Sequence, residues 1–167
     1  MKRIPVAVIA SALVVLALDP LGNRAGAQTA RDSVLATVNQ FFRAMTTKDT
    51  EATGRVEMSD GITYAVGIRG DSVTIRRGTN EGYVKQLRSM RDTYIERIWD
   101  PTVLIHGPIA VVWAQYDVHR NRQFMHCGVD AFTLIRTPSG WKIATTTYTA
   151  EPNGCKPSPL GPLPPGQ

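Results

Sequence analysis

Three residues in the C-terminal third of this 167-residue chain, Asp117, His126 and Asp130, have the chemistry for proton transfer. A carboxylate beside an imidazole holds its tautomer and raises its pKa, making a general base or acid. An Asp in an apolar pocket can itself abstract a proton next to a carbonyl. His126 and Asp130 fall two alternations apart in a strand-like run, so they share one face. Trp113, Gln115, Phe132 and Thr147 are expected on that face too, with Trp99 and Tyr94 from an earlier run, as the wall around a flat or ring-shaped ligand. The competing reading makes Asp130, His126 and Thr147 a hydrogen-bonded cluster across the sheet with no chemistry. Glu96 could face the same cavity, but a surface or helix-contact salt bridge is the favoured role for it.

These residues are positioned by the stretch from Ile109 to Ala150, rich in Val, Ile, Thr, Phe, Tyr and Trp and broken by two turn signals. It reads as three successive antiparallel strands. A two-residue turn at Pro138-Ser139 sets Thr137 opposite Gly140, and so pairs Leu134 with Ile143, Phe132 with Thr145 and Asp130 with Thr147. A second even turn at Asn121-Arg122 pairs Asp117 with His126 and Trp113 with Asp130. Parity sends Trp141 and Ile143 inward and Lys142 outward. A slip of one residue at the first turn would exchange Asp117 and Trp113 for Tyr116 and Ala114, because every side chain then changes face.

Upstream, Val34, Leu35, Val38, Phe41, Phe42 and Met45 follow the spacing of a helix with one buried stripe, over Thr29 to Lys48 with Thr29 or Asp32 as cap. A short helix begins near Asp49 and ends at Gly54 or shortly after. Strands are expected at 62–68 and 73–75, then a helix over Glu81 to Met90 capped by Thr79 or Asn80. An extended run over 94–99 is broken by Asp100-Pro101 and resumes at 102–106. Six of the eleven prolines lie after Ala150, where the chain can neither pair as a strand nor continue as a helix. Beyond Cys155 an extended or disordered tail is expected.

The N-terminus has the marks of a secretory leader: Met1-Lys2-Arg3, an apolar run from Ile4 to Leu18, and Ala25-Gly26-Ala27 as cleavage site. Residues 1–27 are read as the leader, 28–151 as one domain and 152–167 as a proline-rich tail. The apolar run falls short of the ~20 residues that span a bilayer, so no membrane insertion is expected once the leader is removed. A periplasmic or secreted location follows. Removing Lys2, Arg3, Arg24 and Asp19 takes the net charge from +5 to +3. The arginines are scattered and no basic block carries interleaved aromatics, which argues against nucleic acid. Cys127 and Cys155, bound for an oxidising compartment, are read as a disulfide that ties the tail to the sheet. His126 precedes Cys127 but points to the opposite face, so it cannot activate the thiol. His106, His119 and His126 have no ligand spacing, and no metal or cofactor is expected.

The order of long helix, short helix, strand pair, third helix and long antiparallel strands resembles the nuclear transport factor 2-like (SnoaL-like) superfamily, in its exported bacterial branch. The resemblance covers about 30–150 and rests on Val112-Trp113-Ala114-Gln115-Tyr116, His126-Cys127-Gly128-Val129-Asp130-Ala131-Phe132 and Gly140-Trp141-Lys142-Ile143. It implies an α+β cone, a curved, mostly antiparallel sheet wrapped around about three helices, with a pocket at its open end. It also implies dimerisation through the outer face of the sheet. Isomerases, cyclases, dehydratases and members without activity share that architecture, so fold does not choose among them. Three functions follow as expectations. The first is a pocket for a small hydrophobic or aromatic molecule. The second is a cofactor-free isomerase, cyclase or hydratase with Asp130 as base and His126 or Asp117 assisting. The third is a non-catalytic dimeric interaction module.

Overall fold

Val34, Val38, Phe41, Phe42 and Met45 recur at helical spacing and all are buried. They form the apolar stripe of α1 (Pro20–Thr47), which lies against the sheet. The computed structural model describes residues 20–165, so most of the expected leader lies outside the described residues. Because α1 begins at Pro20, upstream of the expected start, neither Thr29 nor Asp32 caps it. α2 (Thr50–Val56) follows, capped by the Asp49 side chain, which accepts from the Ala52 N–H at 2.8 Å. It ends at Val56, shortly after Gly54, where the sequence places its stop.

β1 (Glu57–Arg69) and β2 (Ser72–Thr79) form a hairpin, longer than the short runs the composition suggested. α3 (Asn80–Ser89) starts from Thr79, whose hydroxyl accepts from the Gly82 N–H. β3 (Tyr94–His106) is one strand: Asp100-Pro101 shifts the register between Trp99 and Thr102 rather than ending it. β4 (Ile109–Arg120), β5 (Gln123–Thr137) and β6 (Gly140–Ala150) complete a single open sheet in the order β2-β1-β6-β5-β4-β3. Every neighbouring pair is antiparallel except β1 and β6, which run parallel.

The core is the α1 stripe packed on Val112, Phe132, Leu134, Trp141 and Ile143. Phe132 meets Phe41 and Phe42 edge-on, with ring centroids 6.2 and 5.8 Å apart. Each fully buried side chain of this size contributes roughly 1.5–3 kcal/mol by leaving water. Cys127 and Cys155 are joined in a disulfide. The tail beyond it lies against the outer face of the sheet, where Arg97 donates to the Gly161 carbonyl at 2.9 Å.

Both turns are where the sequence puts them. Thr137 pairs with Gly140 and Arg120 with Gln123, and Asn121 and Arg122 adopt the left-handed φ that a two-residue hairpin turn requires. The register then departs from the expected one at two places. Met125 is an extra residue on β5, so Val118 faces His126 and Ala114 faces Asp130. Ala144 is an extra residue on β6, so Phe132 faces Thr146 and Asp130 faces Tyr148. Each bulge inserts one residue and turns the strand over beyond it.

Candidate functional site

The concave face of the sheet, closed on one side by α1 and α3, encloses a cavity of about 790 Å³. Of the residues expected there, Asp130, His126, Phe132 and Tyr94 line it. Asp117, Trp113, Gln115, Trp99 and Thr147 do not. The Met125 bulge puts Trp113, Gln115 and Asp117 on the outer face, where Trp113 is 55% exposed. The Ala144 bulge turns Thr147 outward and brings Thr146 and Tyr148 in. Trp99 lines a separate, outer cavity of about 470 Å³ beside Asp117 and the tail.

Asp117 is therefore no partner for His126. It accepts two bonds from Arg97, at 2.8 and 2.6 Å, in an ion pair whose side chains are only 5% and 16% exposed. Such a fork holds both groups in place. His119 Nδ1 lies 3.7 Å from Asp117, too far for a hydrogen bond, and burial pushes the imidazole pKa down, so it is a neutral neighbour.

His126 and Asp130 share the inner face as expected, but four residues of strand, about 14 Å at ~3.4 Å each, keep them apart. Each has another partner. The Asp130 carboxyl is hydrogen-bonded to the Glu96 carboxyl from β3. Two carboxyls in contact cannot both ionise, so they share a proton. Burial moves Asp130 up to about 7, while burial and then the charge of Asp130 hold Glu96 well above the usual carboxylate range. Asp130 is 1% exposed, and its Oδ2 has no partner within the protein. The favoured salt bridge for Glu96 is not what the fold builds: this side chain is the second half of the acid pair.

His126 Nδ1 lies 3.0 Å from the Tyr116 hydroxyl, which donates to the Thr149 carbonyl at 2.7 Å. With its proton committed to Thr149, Tyr116 accepts from the imidazole. Burial lowers the His126 pKa and keeps the ring neutral. Gly128 makes this contact possible. A Cβ there would stand 2.1 Å from the Thr149 carbonyl oxygen, so only glycine lets β6 swing in toward Tyr116.

Three further hydroxyls complete the lining. Tyr83, Tyr148 and Thr146 all border the cavity, and burial raises the pKa of both phenols. The Tyr83 hydroxyl and Thr146 Oγ1 are buried without a hydrogen-bond partner. The cavity thus has an aromatic wall of Phe41, Tyr94 and Phe132 and an inner surface of protic groups: the acid pair, the phenols of Tyr83 and Tyr148, a threonine hydroxyl and the neutral imidazole. That arrangement can orient a ring-bearing molecule and exchange a proton with it. Glu96, Tyr116 and Tyr148 were reachable from sequence only through strand parity, which the two bulges invert.

Residues 29–149 match a family described as "putative lumazine-binding". The fold is shared with solved structures of the nuclear transport factor 2-like superfamily. One, from Salmonella enterica serovar Typhimurium, is 14% identical with a TM-score of 0.59, covering 75% of this chain and 93% of its own. A protein described as a "putative dehydratase" from Streptomyces avermitilis is 16% identical, with a TM-score of 0.56 over 74% and 97%. A third, from Novosphingobium aromaticivorans, is 14% identical, with a TM-score of 0.62 over 84% and 94%. No curated protein matches.

Proposed function

We propose, starting from a chain that belongs to the "putative lumazine-binding" family and has the nuclear transport factor 2-like fold, that it is an exported protein binding a small ring-bearing molecule in its concave cavity. The observation that carries this reading is Asp130. A carboxyl 1% exposed, paired to a second acid and with one oxygen unmatched, is costly unless a guest meets it. The description of the family fits a heteroaromatic guest, whose ring edge offers both donors and acceptors to the acid pair. Export is supported by the leader-like N-terminus and by the Cys127–Cys155 disulfide. No helix among the described residues is long and apolar enough to cross a membrane.

Native mass spectrometry of the protein taken from its own compartment, beside Asp130→Asn, tests the reading. Wild type should carry a small organic molecule and the variant should lose it. Empty wild type, or a guest retained at equal occupancy by the variant, would remove Asp130 from the function.

The acid pair also favours a catalytic reading. A carboxyl with pKa about 7 gives and takes protons readily at neutral pH. Asp130 would then be the base of a cofactor-free isomerase, cyclase or hydratase, with Glu96 rather than Asp117 supporting it. His126, fixed by Tyr116, would be a neutral hydrogen-bonding wall.

The outer face supports a homodimer. Leu104, Ile109, Val111, Trp113 and Ile135 are exposed together where β3, β4 and β5 meet, the kind of patch that marks an interface. Trp113→Asp should convert a dimer into a monomer by light scattering. A wild-type protein already monomeric at high micromolar concentration would end this proposal.

A further inference from the structure

The cavity is electrically lopsided, and this bears on what it holds. Its inner end carries the Glu96–Asp130 pair, which at neutral pH bears no more than one negative charge. Its only cationic lining residues among those described are Arg69 and Arg76, from the β1–β2 hairpin on the opposite wall. Neither has a carboxylate partner among the described residues. Several arginines elsewhere are held by carboxylates: Arg97 by Asp117, Arg55 by Glu51 and Arg120 by Asp92.

Strand register says how Arg76 relates to the acid pair. Arg76 pairs with Ala65, Ala65 with Tyr148, and Tyr148 with Asp130. Arg76, Tyr148 and Asp130 therefore stand in one row across four strands, all on the concave face. The small side chain of Ala65 leaves Arg76 room to reach over β1, and both Arg76 and Tyr148 line the cavity, close enough for the guanidinium to act on the phenol. At ~4.8 Å between strands, the backbones of Arg76 and Asp130 are about 14 Å apart. The Arg76 side chain leans across that gap, which leaves the span of a small ring system between a cation and a carboxyl.

Resting on the small-molecule reading above, we infer that the guest is an anion: an aromatic or heteroaromatic carboxylate, sulfonate or phosphate. Its charged group pairs with Arg76, assisted by Arg69 at the mouth, while its ring lies along Tyr148 and its far edge meets Asp130. Guanidinium presents planar paired donors suited to such oxyanions. The charge of Arg76 reaches the cavity interior: burial, and to a lesser degree Arg76, lower the His126 pKa, and Arg76 partly offsets the rise that burial and Glu96 impose on Tyr148.

Two fluorescent probes with one ring scaffold test this: 8-anilinonaphthalene-1-sulfonate and the uncharged N-phenyl-1-naphthylamine. Titrated into the full-length mature protein at pH 7, the sulfonate should bind roughly tenfold or more tighter than the neutral probe, as a charge-assisted hydrogen bond warrants. Arg76→Gln should remove that preference and leave the neutral probe's affinity unchanged, and Arg76→Lys should keep part of it. Arg77→Gln, which alters the neighbouring arginine that does not line the cavity, should change neither titration. Equal affinities in wild type, or a preference that survives Arg76→Gln, overturns the anion assignment while leaving the cavity reading in place. If neither probe binds, the cavity reading falls and this inference falls with it.

Discussion

The Glu57→Gln variant is expected to melt roughly 6–12 °C above the wild-type protein at pH 8, and within a few degrees of it at pH 5. Glu57 closes α2 and opens β1, is 4% exposed, and its Oε2 has no hydrogen-bond partner. Burial alone moves its pKa from 4.5 to about 8. In the unfolded chain the same carboxyl is ionised above pH 5. Between these values the folded state holds a proton that the unfolded state has released, so stability falls as pH rises. The contribution is fully present below the unfolded pKa and is lost as pH climbs through about 8. From pH 5 to pH 8 it amounts to on the order of 3 kcal/mol. Glutamine keeps the shape and never ionises. Asp130 and Glu96 are shifted the same way, so the variant keeps a shallower slope of the same sign. Melting temperatures at half-unit steps of pH check this, and parallel curves for the two proteins would refute it.

Reduction of the Cys127–Cys155 bridge, or Cys155→Ser with Cys127→Ser, should lower the unfolding free energy by ~3.6 kcal/mol on the chain-entropy account. The two residues are 28 positions apart, a long loop whose freedom the bridge removes from the unfolded chain. The bridge also holds Glu151 beside Cys127, where their backbones exchange two hydrogen bonds of 3.1 and 2.9 Å. The double variant should therefore also release the tail from Arg97 and open the outer cavity. Urea denaturation of the oxidised, reduced and doubly substituted forms reads the first effect. An unchanged midpoint with both thiols free would show that tail contacts alone secure this corner.

The architecture was legible because it depends on quantities that local chemistry dictates. Apolar spacing located α1 and α3, turn residues located both hairpins, and Cys127 fell on the face opposite His126 as parity required. Which face each strand shows the cavity was not legible, because that depends on a count. Met125 and Ala144 each add one residue to one strand of a pair, and nothing in their chemistry marks them as bulges. Everything beyond them inverts: Tyr116 replaces Asp117, Thr146 and Tyr148 replace Thr145 and Thr147. Asp130, His126 and Phe132 survived because they share β5 with one another. Glu96 was read as able to face the cavity, but its contact with Asp130 was not legible, since that contact crosses the curved sheet and is set by tertiary packing.

The parallel pairing of β1 with β6 also constrains when the protein can come into being. Tyr64 lies beside Thr147, and the residues between them include every other element from β2 to β5. Contacts so distant along the chain are the slowest to form, because a large loop must close before any of them is made. A ribosome delivers β6 last. Until it emerges, the β1–β2 hairpin has no neighbour joining it to the rest of the sheet, and the α1 stripe lacks Trp141 and Ile143. The nascent chain thus stays unable to complete its core until β6 has emerged. A polypeptide that folds only once its last strand is made is one that can still be threaded elsewhere before it does.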